Sequence, residues 1–132
     1  MKKYLVLILM LFVVVKADIL KDINDCKAGW AHACLSAGTA YKWGINVETN
    51  TFKAFTYYLH GCEHSINYQG TTNIKTVQLL CQAVGDMYKG GSGVEKNELK
   101  ALTYYSKACD FQSSYESDGC KRYFSLKKKI EK

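Results

Sequence analysis

CLSAGTAYKWGINVETNTFKAFTYYLHGC (34–62) lies on CQAVGDMYKGGSGVEKNELKALTYYSKAC (81–109) without a gap, and 14 of the 29 aligned positions are identical. The shared frame is C-x3-G-x2-Y-K-x-G-x2-V-E-x-N-x2-K-A-x-T-Y-Y-x3-C. Self-similarity at a fixed shift of this size marks a repeat architecture. Each unit reads as two helices. Cys34, Gly38 and Tyr41 recur at i, i+4 and i+7, and Cys81, Gly85 and Tyr88 repeat that helical stripe. A glycine inside a helix costs about 1 kcal/mol relative to alanine, so Gly38 and Gly85 predict the close approach of a neighbouring helix. Turns follow at 44–49 and 90–96, with Val47 and Val94 tucked beneath them. Asn50 and Asn97 start the second helices as caps. There Ala54, Tyr57, Tyr58 and Cys62 share a face, as do Ala101, Tyr104, Tyr105 and Cys109. These tyrosines read as core between stacked layers.

The repeat explains the glycine-rich stretch KGGSGVEK (89–96), which otherwise suggests a phosphate cradle. A GxxxxGK[ST] loop needs wider glycine spacing, and Lys96 is followed by Asn97. No third glycine completes a dinucleotide fingerprint, so the stretch reads as an inter-helix turn.

At the N-terminus Lys2 and Lys3 precede an apolar run, 4–15, and then Val15-Lys16-Ala17. That is the pattern of a secretory signal, and the run is short beside the roughly 20 apolar residues of a membrane span. Cleavage after Ala17 leaves 115 residues, lowers the net charge from +6 to +3 and leaves no stable membrane anchor. The expected location is therefore the periplasm or the medium. The basic tail Lys127, Lys128, Lys129 and Lys132 reads as a solvated helix end, with no nucleic-acid partner. All six cysteines follow the signal, and an even count in an exported chain reads as disulfides, with 15 pairings open. No CxxC pair suggests zinc, and no cofactor is expected.

The expected organisation is a signal peptide over 1–17 and one repeat domain over 18–132. Within it lie repeat one at about 30–62, an insertion at 63–73, repeat two at about 74–109 and a capping helix at about 117–129. A short helix over 19–26 precedes the repeats, and Tyr123, Phe124 and Ile130 supply the apolar face of the last one. The fold class is all-α, an αα-hairpin solenoid of two disulfide-stapled repeats with short terminal capping helices. The polar insertion departs most from the chain's own repeat, which makes it a candidate for specificity.

Gly85, Tyr88, Gly91, Gly93, Val94, Lys96, Asn97, Lys100, Ala101, Tyr104, Tyr105, Lys107, Ala108 and Cys109 follow G-x2-Y-x2-G-x-G-V-x-K-[DN]-x2-K-A-x2-Y-Y-x-K-A-C. This pattern resembles the Sel1-like repeat, the αα-hairpin relative of the tetratricopeptide repeat. With its cysteines and export signal, the chain resembles the Helicobacter cysteine-rich proteins over residues 22–125. Asn46 departs from the pattern at the second loop glycine of the first unit, and the spacing between linked cysteines widens from the family's usual C-x7-C at 62–81 and 109–120. The resemblance implies the pairs Cys26–Cys34, Cys62–Cys81 and Cys109–Cys120. An antiparallel hairpin also brings Cys34 near Cys62 and Cys81 near Cys109, so the residues alone leave both arrangements open. Proteins of this family are described as penicillin-binding or weak β-lactamases, so the resemblance also implies a β-lactam or peptidoglycan-fragment ligand and a hydrolase role in antibiotic resistance.

The residues themselves offer little chemistry. Ser125-Leu126-Lys127-Lys128 matches SxxK, but Ser117-Asp118-Gly119 is not SDN and no KTG is present. His60 and His64 stand at i, i+4, the spacing of a metal pair, with His32 far along the chain; they read as exposed histidines at a helix end. Glu63, Asp86, Glu95 and Glu98 form no glycosidase-like pair. Binding is the stronger reading. Stacked hairpins present a concave surface lined by first helices, and positions that differ between the copies appear free of core duty. Leu35, Thr39 and Trp43 and, in the second copy, Gln82 and Asp86 are such positions; with Lys42 and Lys89 on the same helices they give a candidate ligand groove. Such a lining suits an extended peptide or a polar fragment. The expected function is an exported protein- or peptide-binding module, with β-lactam hydrolysis as the alternative.

Overall fold

The structure, a computed structural model, describes residues 1–65, 74–110 and 117–132, with side chains outside 11–17. Residues 66–73 of the expected insertion lie outside the described residues. Among the described residues six helices follow one another: α1 (Lys2–Lys27), α2 (Ala31–Trp43), α3 (Thr51–His64), α4 (Ile74–Gly90), α5 (Glu98–Asp110) and α6 (Asp118–Ile130). Each packs on the next, and α2 also touches α4 as α4 touches α6. The chain is thus an all-α solenoid of two hairpins, α2–α3 and α4–α5, flanked by α1 and α6.

The two hairpins are built alike, residue for residue. Gly44 and Gly91 adopt left-handed φ of 68° and 67° after the first helices. The backbone N–H of Asn50 donates to the Tyr41 carbonyl at 2.8 Å, and that of Asn97 to the Tyr88 carbonyl at 2.8 Å. Asn50 Oδ1 accepts from the Lys53 N–H and Asn97 Oδ1 from the Lys100 N–H, each at 2.9 Å, which closes the N-termini of α3 and α5. Lys53 lies over the Tyr41 ring, which stacks on Tyr57, and Lys100 over the Tyr88 ring, which stacks on Tyr104. Where the second copy has Gly93 at φ 70°, the first has Asn46 at φ 59°. Asparagine tolerates that region. At Gly93 a Cβ would run into the Thr51 carbonyl, so the neighbouring repeat forbids a side chain there.

The interior glycines have the packing role their cost predicts. A Cβ on Gly38 would fall inside the Tyr58 ring, and one on Gly85 would lie 2.6 Å from Tyr105 Cδ1 and Cε1. The second helix of each hairpin seats its tyrosine on the bare backbone of the first. Gly90, at the end of α4, has nothing within 4 Å of a notional Cβ. Gly90→Ala is therefore expected to stabilise the oxidised protein by about 0.4–1 kcal/mol. Gly85→Ala is expected to destabilise it by about 1–3 kcal/mol. Thermal melts of the two variants, shifting in opposite directions, check the pair.

The six cysteines form three disulfides, Cys26–Cys34, Cys62–Cys81 and Cys109–Cys120, with Cα atoms 4.5, 4.9 and 4.4 Å apart. Each ties the end of a second-type helix to the next first-type helix: α1 to α2, α3 to α4, α5 to α6. Five of the half-cystines sit within the core or its edge at 0–8% exposure, among Leu80, Val84, Ala54, Ala101 and Tyr105.

Three features differ from the sequence reading. The helix expected over 19–26 is the end of a helix that runs unbroken from Lys2, since no glycine or proline interrupts 2–27. α3 continues through His64, beyond the end expected near Cys62. On α6 the buried anchor is Leu126, 3% exposed, whereas Phe124 and Ile130 are exposed.

Candidate functional site

α6 is a third first-type helix. Its Cys120 bonds to the end of α5 as Cys81 bonds to the end of α3 and Cys34 to the end of α1. Counting from these cysteines puts three sets of side chains in one register: Leu35, Thr39 and Lys42 on α2; Gln82, Asp86 and Lys89 on α4; Lys121, Ser125 and Lys128 on α6. Within each helix the three stand at i, i+4 and i+7, on one face. Phe124 takes the register of Gly38 and Gly85, so a second helix cannot seat a tyrosine on α6 as it does on α2 and α4.

The middle row has a structural job. Thr39 Oγ1 and Tyr58 Oη share a hydrogen bond of 3.2 Å. At the same register Tyr105 Oη donates to Asp86 Oδ1 at 2.5 Å, and Arg122 Nη1 of α6 donates to the same oxygen at 2.8 Å. Burial, and then the hydrogen bond to the Asp86 carboxylate, push the Tyr105 hydroxyl well above its usual range, so it remains a donor. Leu35 packs partly against the core. Thr39, Asp86 and Leu35 therefore carry packing or hydrogen-bonding duty. Lys42 Nζ rests 5.1 Å from the centre of the Trp43 ring, and Trp43 is 68% exposed. Gln82 is half-buried and Lys89 exposed. Sequence reasoning missed Lys121, Arg122, Ser125 and Lys128 as groove residues. The signal was Cys120, which sets their register.

The other candidates are dispersed. Ser125 is exposed, and no hydrogen bond joins it to Lys128. The His60 and His64 rings stack at 4.9 Å, His60 Nε2 is buried without a partner, and His32 is exposed on α2. Among the described residues no group of three or more metal-ligating side chains converges. Glu63, at the start of the expected insertion, reaches across the stack to Lys107 at 2.6 Å. The hydrogen bond from Lys107 holds its carboxyl below the usual range, with a further contribution from the Tyr104 hydroxyl. A depressed carboxyl stabilises the fold above its unfolded pKa, and that contribution is lost as pH falls through the folded value. Acidification from pH 6 to pH 3 is expected to lower the Tm of the oxidised protein, and Glu63→Gln to flatten that slope. Melts of both proteins across this range check the sign.

These features define a class: a disulfide-stapled αα-hairpin repeat protein whose first helices form one aligned face. Residues 31–64 and 81–110 match the family model of the Sel1 repeat, so the chain is a Sel1-repeat protein. Sel1 repeats mediate protein–protein interactions. Among solved structures the fold is similar to cysteine-rich protein B of Helicobacter pylori, with a TM-score of 0.64 and 26% identity over 78% of this chain and 67% of that one. Comparison with curated protein sequences gives no significant match. No helix among the described residues is long and apolar enough to cross a membrane. Three disulfides indicate an oxidising environment.

Proposed function

We propose that this protein is an exported, disulfide-stapled interaction module that holds an extended segment of another protein along the face of α2, α4 and α6. The observation that carries this reading is the three-helix register, which aligns polar and basic side chains on successive first helices. Repeat solenoids bind extended partners on such surfaces. Export is supported by the basic start, the apolar run and the three disulfides; a secreted product starting at Asp18 is its expected form. Among the described residues Ser125 is exposed and makes no side-chain hydrogen bond, which gives β-lactam hydrolysis no support.

The test is selection of displayed random peptides on the oxidised chain from residue 18. Peptides whose binding is lost on Gln82→Trp, a bulky side chain that obstructs the face whatever the partner's charge, with melting temperature unchanged, support the groove. Enrichment of nothing, or of peptides indifferent to Gln82→Trp and Trp43→Ala, overturns it.

A further inference from the structure

Lysine occupies the same register on all three first-type helices: Lys42 on α2, Lys89 on α4 and Lys128 on α6. Lys121 adds a fourth cation at the register of Leu35 and Gln82. None of the four forms a salt bridge with a described residue, although Lys89 feels Glu98 at longer range. Lys107 pairs with Glu63 and Lys129 with Glu98, while Lys53 and Lys100 lie on tyrosine rings as Lys42 lies on the exposed Trp43 ring. Asp86, the one carboxylate in the nine-position grid, is matched by Arg122. Other carboxylates border the grid: Asp118 one turn before Lys121, Glu131 one turn after Lys128 and 3.9 Å from Lys127, and Glu98, which pairs with Lys129. Within the grid itself four lysines stand against one matched carboxylate.

Resting on the interaction-module reading above, we infer that the partner segment is acidic and extended, with carboxylates spaced to meet successive lysines. The spacing follows from packing. Helices in direct contact stand about 8–10 Å apart, and α2 touches α4 as α4 touches α6. An extended chain advances about 3.3 Å per residue, so a carboxylate at about every third residue meets Lys42, Lys89 and Lys128 in turn. Charge complementarity commits the face to this occupant. Neutral lining would accept any extended chain, whereas unpaired cations in one row oppose a basic one.

The probe is a fluorescent twelve-residue Gly/Ser peptide carrying Glu at every third position. Controls are the same composition with the glutamates clustered at one end, and the same spacing with Lys in place of Glu. Anisotropy is read against the oxidised chain at low and physiological salt. The periodic acidic peptide is expected to bind several-fold more tightly than the clustered one and to weaken with salt. Lys42→Glu, Lys89→Glu and Lys128→Glu are each expected to weaken it about five- to tenfold, and Lys27→Glu, on α1, to leave it unchanged. All four side chains are on the surface, and mass mapping of the disulfides verifies each variant. Equal binding of periodic and clustered peptides, or indifference to the three groove variants, overturns the inference. So does equally tight binding of a DNA duplex that the same variants abolish, which makes the face a general polyanion surface. Selected peptides that lack carboxylates yet are lost on Gln82→Trp overturn the acidic partner and leave the peptide groove standing. No binding of either kind overturns both.

Discussion

Full reduction is expected to unfold this protein at room temperature. The three bridges close loops with sequence separations of 8, 19 and 11. In the chain-entropy account, loops of these lengths contribute about 2.5–3.5 kcal/mol each. They follow one another without nesting, so each constrains a separate stretch of unfolded chain and the three contribute about 9 kcal/mol together. Domains of this size have net stabilities of about 5–15 kcal/mol. The remaining core is two hairpins and two flanking helices, whose outer faces stay in water. The expected result is loss of the helical far-UV signal when the protein is unfolded, reduced, alkylated and returned to native buffer, against full recovery of the oxidised control. Retention of native helicity after alkylation would remove the staples from the account. The single most costly loss is the middle bridge, which closes the longest loop and joins the two hairpins. Cys62→Ala with Cys81→Ala is expected to lower Tm by about 15–25 °C.

The hairpins were legible because their punctuation is local. A glycine after the first helix, an asparagine capping the second and an invariant tyrosine pair recur at one shift, and each acts within its own turn or its own hairpin. What escaped was decided across the stack. Thr39 and Asp86 differ in type, which looks like freedom; both share a hydrogen bond with the tyrosine that the other helix of the hairpin delivers, so two different residues perform one task. Leu126 was overlooked as the anchor of α6 because lysines follow it and because Tyr123, Phe124 and Ile130 make a more conspicuous apolar set. The third register was masked in two ways. The step from Cys81 to Cys120 is 39 residues instead of 47, and Phe124 replaces the glycine by which a first helix is recognised. The N-terminal helix was divided at the expected cleavage site, where no glycine or proline interrupts it.

The glycine–tyrosine seat makes the second large prediction. Among the described residues Tyr105 is the largest fully buried side chain, and its ring lies on the Gly85 backbone while its hydroxyl donates to Asp86. Tyr105→Ala is expected to cost about 3–5 kcal/mol, the range for truncating a buried aromatic ring. Tyr105→Phe isolates the hydroxyl. Asp86 keeps Arg122 and some access to water, so this loss is expected to be about 0.5–1.5 kcal/mol. The ring, not the hydrogen bond, then carries most of the effect. The decisive comparison is Gly85→Ala in both backgrounds. With the ring present, the added methyl has no room and the variant is less stable. With the ring gone, the collision disappears and alanine contributes its helix propensity, up to about 1 kcal/mol. The remaining approach, 3.3 Å to the Ala101 carbonyl, trims that gain. Gly85→Ala is therefore expected to change sign between the two backgrounds, measured by denaturant unfolding of the oxidised proteins. An equal penalty in both would mean that the ring is not what the glycine accommodates, and the same cycle at Gly38 and Tyr58 tests whether the first hairpin uses the same seat.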